Sequence, residues 1–98
     1  MRPARLSPSA VTEWLRDHSN WESSGDAIAR TFSFKGYPEA LGFVVTLGAH
    51  AQKVDHHPEL TLSWGKVSIT LSTHDAGGVT QLDLDFAATA DAFFGSAR

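Results

Sequence analysis

Two short runs of apolar–polar alternation constrain this chain most, because each folds back on itself across a glycine turn. Leu60, Leu62 and Trp64 alternate with Thr61 and Ser63, Gly65 and Lys66 make the turn, and Val67, Ile69 and Leu71 alternate with Ser68, Thr70 and Ser72. A period of two places all the apolar side chains on one face of a pleated hairpin. Trp64 is then expected to pack in the core or in a pocket wall. A second hairpin lies earlier. A short segment from Trp21 to Ser23 leads to the turn signal Ser24-Gly25-Asp26, after which Ile28, Phe32 and Phe34 alternate with Ala29, Thr31 and Ser33. Arg30 breaks the apolar row. One-sided hairpins need an apolar layer to pack against.

Three helical patterns supply that layer. Ser7-Pro8 reads as an N-cap followed by proline at the first helical position, where the missing N–H costs nothing. Leu6 and Val11 stand at the positions of a hydrophobic staple. This helix should run from Pro8 to about Asp17 and bury Val11, Trp14 and Leu15. Gly36-Tyr37-Pro38 opens the next, in which Leu41, Val44, Val45, Gly48 and Ala51 recur at steps of three and four. Gly42 and Gly48 each weaken its propensity by about 1 kcal/mol, so packing must hold it, and Pro58 forces its end. Phe43 and Leu47 fall off that stripe and could meet a partner chain or widen the burial within the monomer. Thr80 caps the last helix, with Leu82, Phe86, Ala90, Phe93 and Phe94 as its apolar face. The order α-β-β-α-β-β-α implies an α+β fold: a four-stranded antiparallel sheet with helices packed on one face. Residues 1–98 read as a single domain.

Composition narrows the function classes. The net charge of -3 comes from acids and bases scattered along the chain, with no basic block to engage nucleic acid or an anionic membrane. No stretch approaches the length of a membrane span, and MRPARLSPSA lacks the apolar run of a signal peptide. Cysteine is absent, which removes disulfides, thiolate metal ligands and a cysteine nucleophile together. A reducing cytoplasm is the expected compartment. No G-x-S-x-G elbow occurs, and Gly77-Gly78 is not a phosphate loop.

The chemistry rests with histidine. Of five histidines, His56 and His57 are adjacent where the chain leaves the second helix, in His56-His57-Pro58-Glu59, and His74 follows the strand Val67–Leu71. Both places are element ends, where a rigid scaffold presents loops, and imidazole is the side chain best suited to move protons near neutral pH. Each residue also has a plain structural reading. The His pair complements the negative end of a helix dipole, worth about 0.3–1 kcal/mol, and His74 beside Asp75 and two glycines is a turn residue. Asp83, three after Thr80, completes an acidic capping box. His18 and His50 have no partners in sequence and read as structural or surface residues. Histidines plus a carboxylate also form a plausible zinc or iron set, although adjacent histidines chelate one ion poorly, unlike an i, i+4 pair.

The spaced set decides between these readings by resemblance. Asp55-His56-His57-Pro58-Glu59, then Trp64, Thr73-His74-Asp75, Gly78 and Asp83 together resemble the pattern of the pterin-4a-carbinolamine dehydratases. Five residues separate Pro58 from Trp64, nine separate Trp64 from His74, and eight separate His74 from Asp83. The phrases Phe32–Lys35 and Lys66–His74 are similar too, and the likeness runs from Trp21 through the last helix.

The resemblance implies four antiparallel strands backed by three helices, and dimers or dimers of dimers. It implies a hydro-lyase reaction on a small-molecule pterin: 4a-hydroxytetrahydropterin loses water to give quinonoid dihydropterin, which supports tetrahydropterin recycling with no metal or organic cofactor. His56 and His74 would transfer protons, His57 would hold the pterin and assist, and Asp83 would orient or polarise a histidine. Pro58, Trp64, Thr73 and Asp75 would join His57 in binding substrate. The resemblance also leaves open a non-catalytic dimerisation or assembly module of the same fold, or a role in molybdopterin-related metabolism. Two departures stand out: Gln52 occupies a position that is usually charged in the family, four before His56, and Leu60-Thr61-Leu62 replaces a more aromatic and polar run.

Overall fold

A computed structural model describes residues 3–97. The first helix, α1, spans Pro8–Asp17; the Ser7 hydroxyl accepts the Ala10 N–H at 3.1 Å and Pro8 opens the first turn. Leu6 donates its N–H to the Val79 carbonyl at 2.8 Å, which fastens the N-terminal segment beside the last helix. Val11, Trp14 and Leu15 pack on the core but remain half-buried, so α1 lies along its rim rather than inside it. His18 is structural: its ring stacks on Trp14 at 3.9 Å, and Nδ1 donates to the Trp14 carbonyl.

Strands β1 (Glu22–Ser24) and β2 (Ala27–Ser33) form the first hairpin. Ser24 pairs with Ala27, which leaves only Gly25 and Asp26 in the loop, and Gly25 takes a φ of 62°. That left-handed conformation favours glycine. The second hairpin joins β3 (Glu59–Ser63) to β4 (Lys66–Leu71), and the sheet order is β1-β2-β4-β3, all antiparallel. Its turn is Trp64-Gly65, one residue earlier than the alternation suggests, because Ser63 pairs with Lys66. Trp64 therefore leaves the strand with a φ of 50° and is 69% exposed, so it is not a core residue. Gly65 is required by close approach. A Cβ there would stand 2.9 Å from the Phe34 carbonyl oxygen, and the Gly65 carbonyl accepts the Phe34 N–H at 2.7 Å.

The sheet is two-sided in chemistry, as its period demands. Ile28, Phe32, Val67, Ile69 and Leu71 are buried on the face that meets the helices, with Leu60 and Leu62 partly covered at the edge. On the opposite face Thr31 and Ser68 share a hydrogen bond at 2.9 Å. Arg30 belongs to the apolar row by register, between Ile28 and Phe32, and the fold gives it partners. Its guanidinium lies 4.2 Å from the Phe32 ring centroid and 2.6 Å from Asp91 Oδ1, while the buried Trp21 indole N–H donates to the same carboxylate.

Helix α2 spans Tyr37–Val54 and buries Ala40, Phe43, Leu47 and Ala51. Of the stripe drawn from sequence, Ala51 is buried and Val44 packs half-buried on the core, but Leu41 and Val45 are exposed at 43% and 63% and Gly48 is exposed. The helix carries two apolar stripes about a third of a turn apart, and side-chain volume chooses between them. Phe43 fills the space between sheet and helices, with ring centroids 4.9 Å from Phe32 and 5.1 Å from Phe34. Nor does Pro58 end the helix directly. Asp55 takes the left-handed conformation (φ 53°, ψ 45°), and its N–H and that of His56 both reach the Ala51 carbonyl, a Schellman-type ending.

Helix α3 spans Gln81–Ala97. Phe86 and Ala90 are buried as expected, joined by Leu84 and Ala87, while Leu82, Phe93 and Phe94 are half-buried. No helix among the described residues is long and apolar enough to cross a membrane.

The Arg30–Asp91–Trp21 cluster makes a measurable claim. Asp91→Ala would strand a buried indole N–H and a mostly buried guanidinium, costing about 2–3 kcal/mol. Thermal unfolding should show a fall in Tm of roughly 10–20 °C for a domain of this size.

Candidate functional site

Antiparallel pairing of β3 with β4 creates the site. Glu59 pairs with Thr70, so the chain entering β3 and the chain leaving β4 emerge at the same end of the sheet. The entering chain carries Asp55, His56 and His57; the leaving chain carries Ser72, Thr73, His74 and Asp75. These seven residues line a cleft of about 240 Å³.

The leaving segment is shaped by its own backbone. Thr73 and Gly78 form an antiparallel bridge, with the Thr73 N–H donating to the Gly78 carbonyl at 2.9 Å. Between them His74–Ala76 make one 3₁₀ turn, closed by Gly77 at φ 73°, whose N–H reaches the His74 carbonyl. This tight loop leaves the His74 side chain exposed at the cleft.

Beneath the cleft lies a buried polar network centred on Asp83, which has no exposed surface. Asp83 Oδ1 accepts from His56 Nε2 at 2.6 Å. Its Oδ2 accepts the Thr73 hydroxyl at 2.9 Å and the Thr80 N–H at 2.8 Å. The Thr80 hydroxyl donates in turn to Thr73 at 2.8 Å and accepts the Leu82 N–H at 3.2 Å. Asp83 thus completes the capping box of α3 with one oxygen and accepts from His56 with the other. Because a carboxylate only accepts, Nε2 of His56 carries the hydrogen. His56 itself is 6% exposed, wedged between Asp83 and the edge of Phe86.

His57 is exposed, and its Nε2 stands 3.1 Å from Gln52 Oε1, one turn back on α2. Of the residues expected to bind substrate, His57, Thr73 and Asp75 line the cleft. Pro58 is half-buried beside it without lining it, and Trp64 sits in the β3–β4 turn at the far end of the hairpin. Sequence reasoning quoted Asp55 within the motif but gave it no role, since no glycine or asparagine announced its left-handed backbone, and it missed Ser72, which looked like one more polar residue of β4. His50 lies apart, packed between the rings of Phe86 and Phe93. Among the described residues, no group of three or more His, Cys, Asp or Glu side chains is placed to hold a metal ion.

The arrangement offers two partly or fully exposed imidazoles and one buried, carboxylate-backed imidazole around one small cleft. Such a set can donate a proton at one point of a bound molecule and accept one at another.

Known proteins resemble this chain in sequence and in fold. The model of the family described as "Pterin 4 alpha carbinolamine dehydratase" matches residues 4–93. A relative from Roseiflexus sp. (strain RS-1), named "Putative pterin-4-alpha-carbinolamine dehydratase", is 41% identical over 87 residues, covering 89% of this chain and 94% of its own. A relative of the same name from Bradyrhizobium sp. (strain BTAi1) is 48% identical over 94 residues, covering 94% and 95%. The crystal structure of a transcriptional coactivator/pterin dehydratase from Brucella melitensis superposes with a TM-score of 0.85 at 39% identity, over 90% of this chain and 96% of that one. A pterin dehydratase-like protein described as a RuBisCO assembly factor in the alpha-carboxysome shares the fold at a TM-score of 0.64 and 24% identity, over 76% and 87%. By sequence and by structure, this chain belongs to the pterin 4 alpha carbinolamine dehydratase family.

Proposed function

We propose that this chain dehydrates a 4a-hydroxytetrahydropterin to the quinonoid dihydropterin, with histidines as general acid and base. The observation that carries this reading is the convergence of His56, His57 and His74 on one cleft, with Asp83 braced behind His56. Hydroxide is a poor leaving group, so a general acid must protonate the 4a-hydroxyl as the N5 lone pair expels it. A base then takes the N5 proton from the iminium, so that water and the neutral quinonoid product leave. His56 and His74 perform the two transfers from the two chain segments that flank the cleft. His57, with Thr73 and Asp75, holds the pterin, and Asp83 fixes the tautomer and orientation of His56, as a carboxylate behind a catalytic imidazole does. This chemistry calls for no metal and no organic cofactor.

The test is the breakdown of 4a-hydroxytetrahydropterin followed by stopped flow. A rate above the spontaneous one is expected; no acceleration would sink the enzyme reading and favour an assembly role for the same fold. His74→Ala should lower kcat by about 10²–10⁴-fold with stability unchanged, since its side chain is exposed.

Asp83 separates folding from chemistry. Asp83→Ala leaves His56, the Thr80 N–H and Thr73 short of an acceptor, and should cost about 3–5 kcal/mol in denaturant unfolding. Asp83→Asn keeps one accepting oxygen and should cost less, yet still lower kcat, because its amide nitrogen cannot accept from His56 Nε2.

We further propose a homo-oligomer formed through α2. Tyr37, Leu41 and Val45 stand at successive turns of one helix face and are all exposed, an apolar stripe that a second copy would cover. Light scattering should give a mass above the 10.6 kDa of one chain, and Val45→Glu should lower it. A wild-type monomer would reject this assignment.

A further inference from the structure

Two histidines in the cleft are braced by different chemistry. His56 leans on a buried carboxylate, whereas His57 leans on a neutral amide, Gln52, at 3.1 Å. The contact is a product of the helix ending. Asp55 turns left-handed, the His56 N–H folds back onto the Ala51 carbonyl, and the next residue, His57, is carried alongside Gln52. An ordinary continuation of α2 would have put positions 52 and 57 on different faces, more than a turn apart.

The nearest atom of Gln52 is its carbonyl oxygen, which only accepts hydrogen bonds. The ring nitrogen facing it must therefore donate, so neutral His57 carries its hydrogen on Nε2 and keeps Nδ1 as its one lone pair. We propose that Gln52 is a positioning residue: it fixes His57 in the Nε2–H tautomer so that Nδ1 accepts a hydrogen bond from a ring N–H of the bound pterin. The inference rests on the dehydratase reading and extends it, since it names the atom through which His57 holds substrate. A glutamine suits the task because it directs the hydrogen without adding charge to a cleft that already contains Asp55 and Asp75.

The test pairs two substitutions of opposite hydrogen-bonding sense at an exposed position. Gln52→Glu keeps an acceptor beside Nε2, while Gln52→Lys supplies only donors and calls for the other tautomer. Two-dimensional ¹⁵N NMR of the free full-length protein reads the protonated ring nitrogen directly, without any catalysis. The wild type and Gln52→Glu should both show protonated Nε2 and bare Nδ1 in His57; Gln52→Lys should show the reverse. Gln52→Lys should also raise KM about tenfold, the loss of one good hydrogen bond, with kcat little changed. A wild-type His57 protonated on Nδ1, or a tautomer indifferent to residue 52, would overturn the assignment of Gln52. A reversed tautomer with KM unmoved would overturn the role of Nδ1. A protein that fails to accelerate dehydration would instead count against the reaction, and the NMR result would still decide the tautomer.

Discussion

One buried carboxylate holds together what this fold and its cleft need. Asp83 has no access to water, and such a group is tolerable only when its oxygens accept hydrogen bonds. They are used by three elements at once: the start of α3 through the Thr80 N–H, the segment after β4 through Thr73, and the end of α2 through His56. Each of these elements ends at this point, and each end would otherwise expose polar groups to the interior. Among the described residues, no buried side-chain nitrogen or oxygen is left without a partner.

Much of this was legible beforehand, and the reasons differ by element. The boundaries of α1 follow from Ser7-Pro8, a local signal that needs no tertiary knowledge. The strand pairs follow from alternation, which survives because one face of the sheet meets helices and the other does not. Helix α2 defeats the same reasoning, since it offers apolar residues on two faces. Periodicity cannot tell Phe43 and Leu47 from Leu41 and Val45 until the volume beneath the helix is known. Trp64 misleads for a related reason: its type fits the strand pattern, but pairing of Ser63 with Lys66 ends the strand first.

The site was legible as a set of residues and hidden as a geometry. Spacing along the chain marks His56, His57, His74 and Asp83, yet nothing in it says that Asp83 lies under His56 rather than beside substrate. Cap and catalytic support read as competing roles for Asp83 when the chain is a line. In three dimensions a carboxylate has two oxygens: one accepts the Thr80 N–H of the cap and the other accepts from the His56 ring. Gln52 shows the converse, a residue that draws notice only as a departure until the left-handed Asp55 delivers His57 to it.

The register of β3 against β4 has a consequence for how such a cleft can change over time. His57 lies two residues before Glu59, and Thr73 lies three after Thr70, so the pairing of Glu59 with Thr70 acts as a ruler between the two walls. Sliding that pairing by one residue would displace one wall by about 3.3 Å and turn Leu60 and Leu62 out of the core. The hydrophobic pattern of an edge strand therefore guards the spacing of imidazoles it never touches. The Trp64-Gly65 turn lies at the end of the hairpin away from the cleft, whereas at the opposite end even a single added residue would alter the cleft's width.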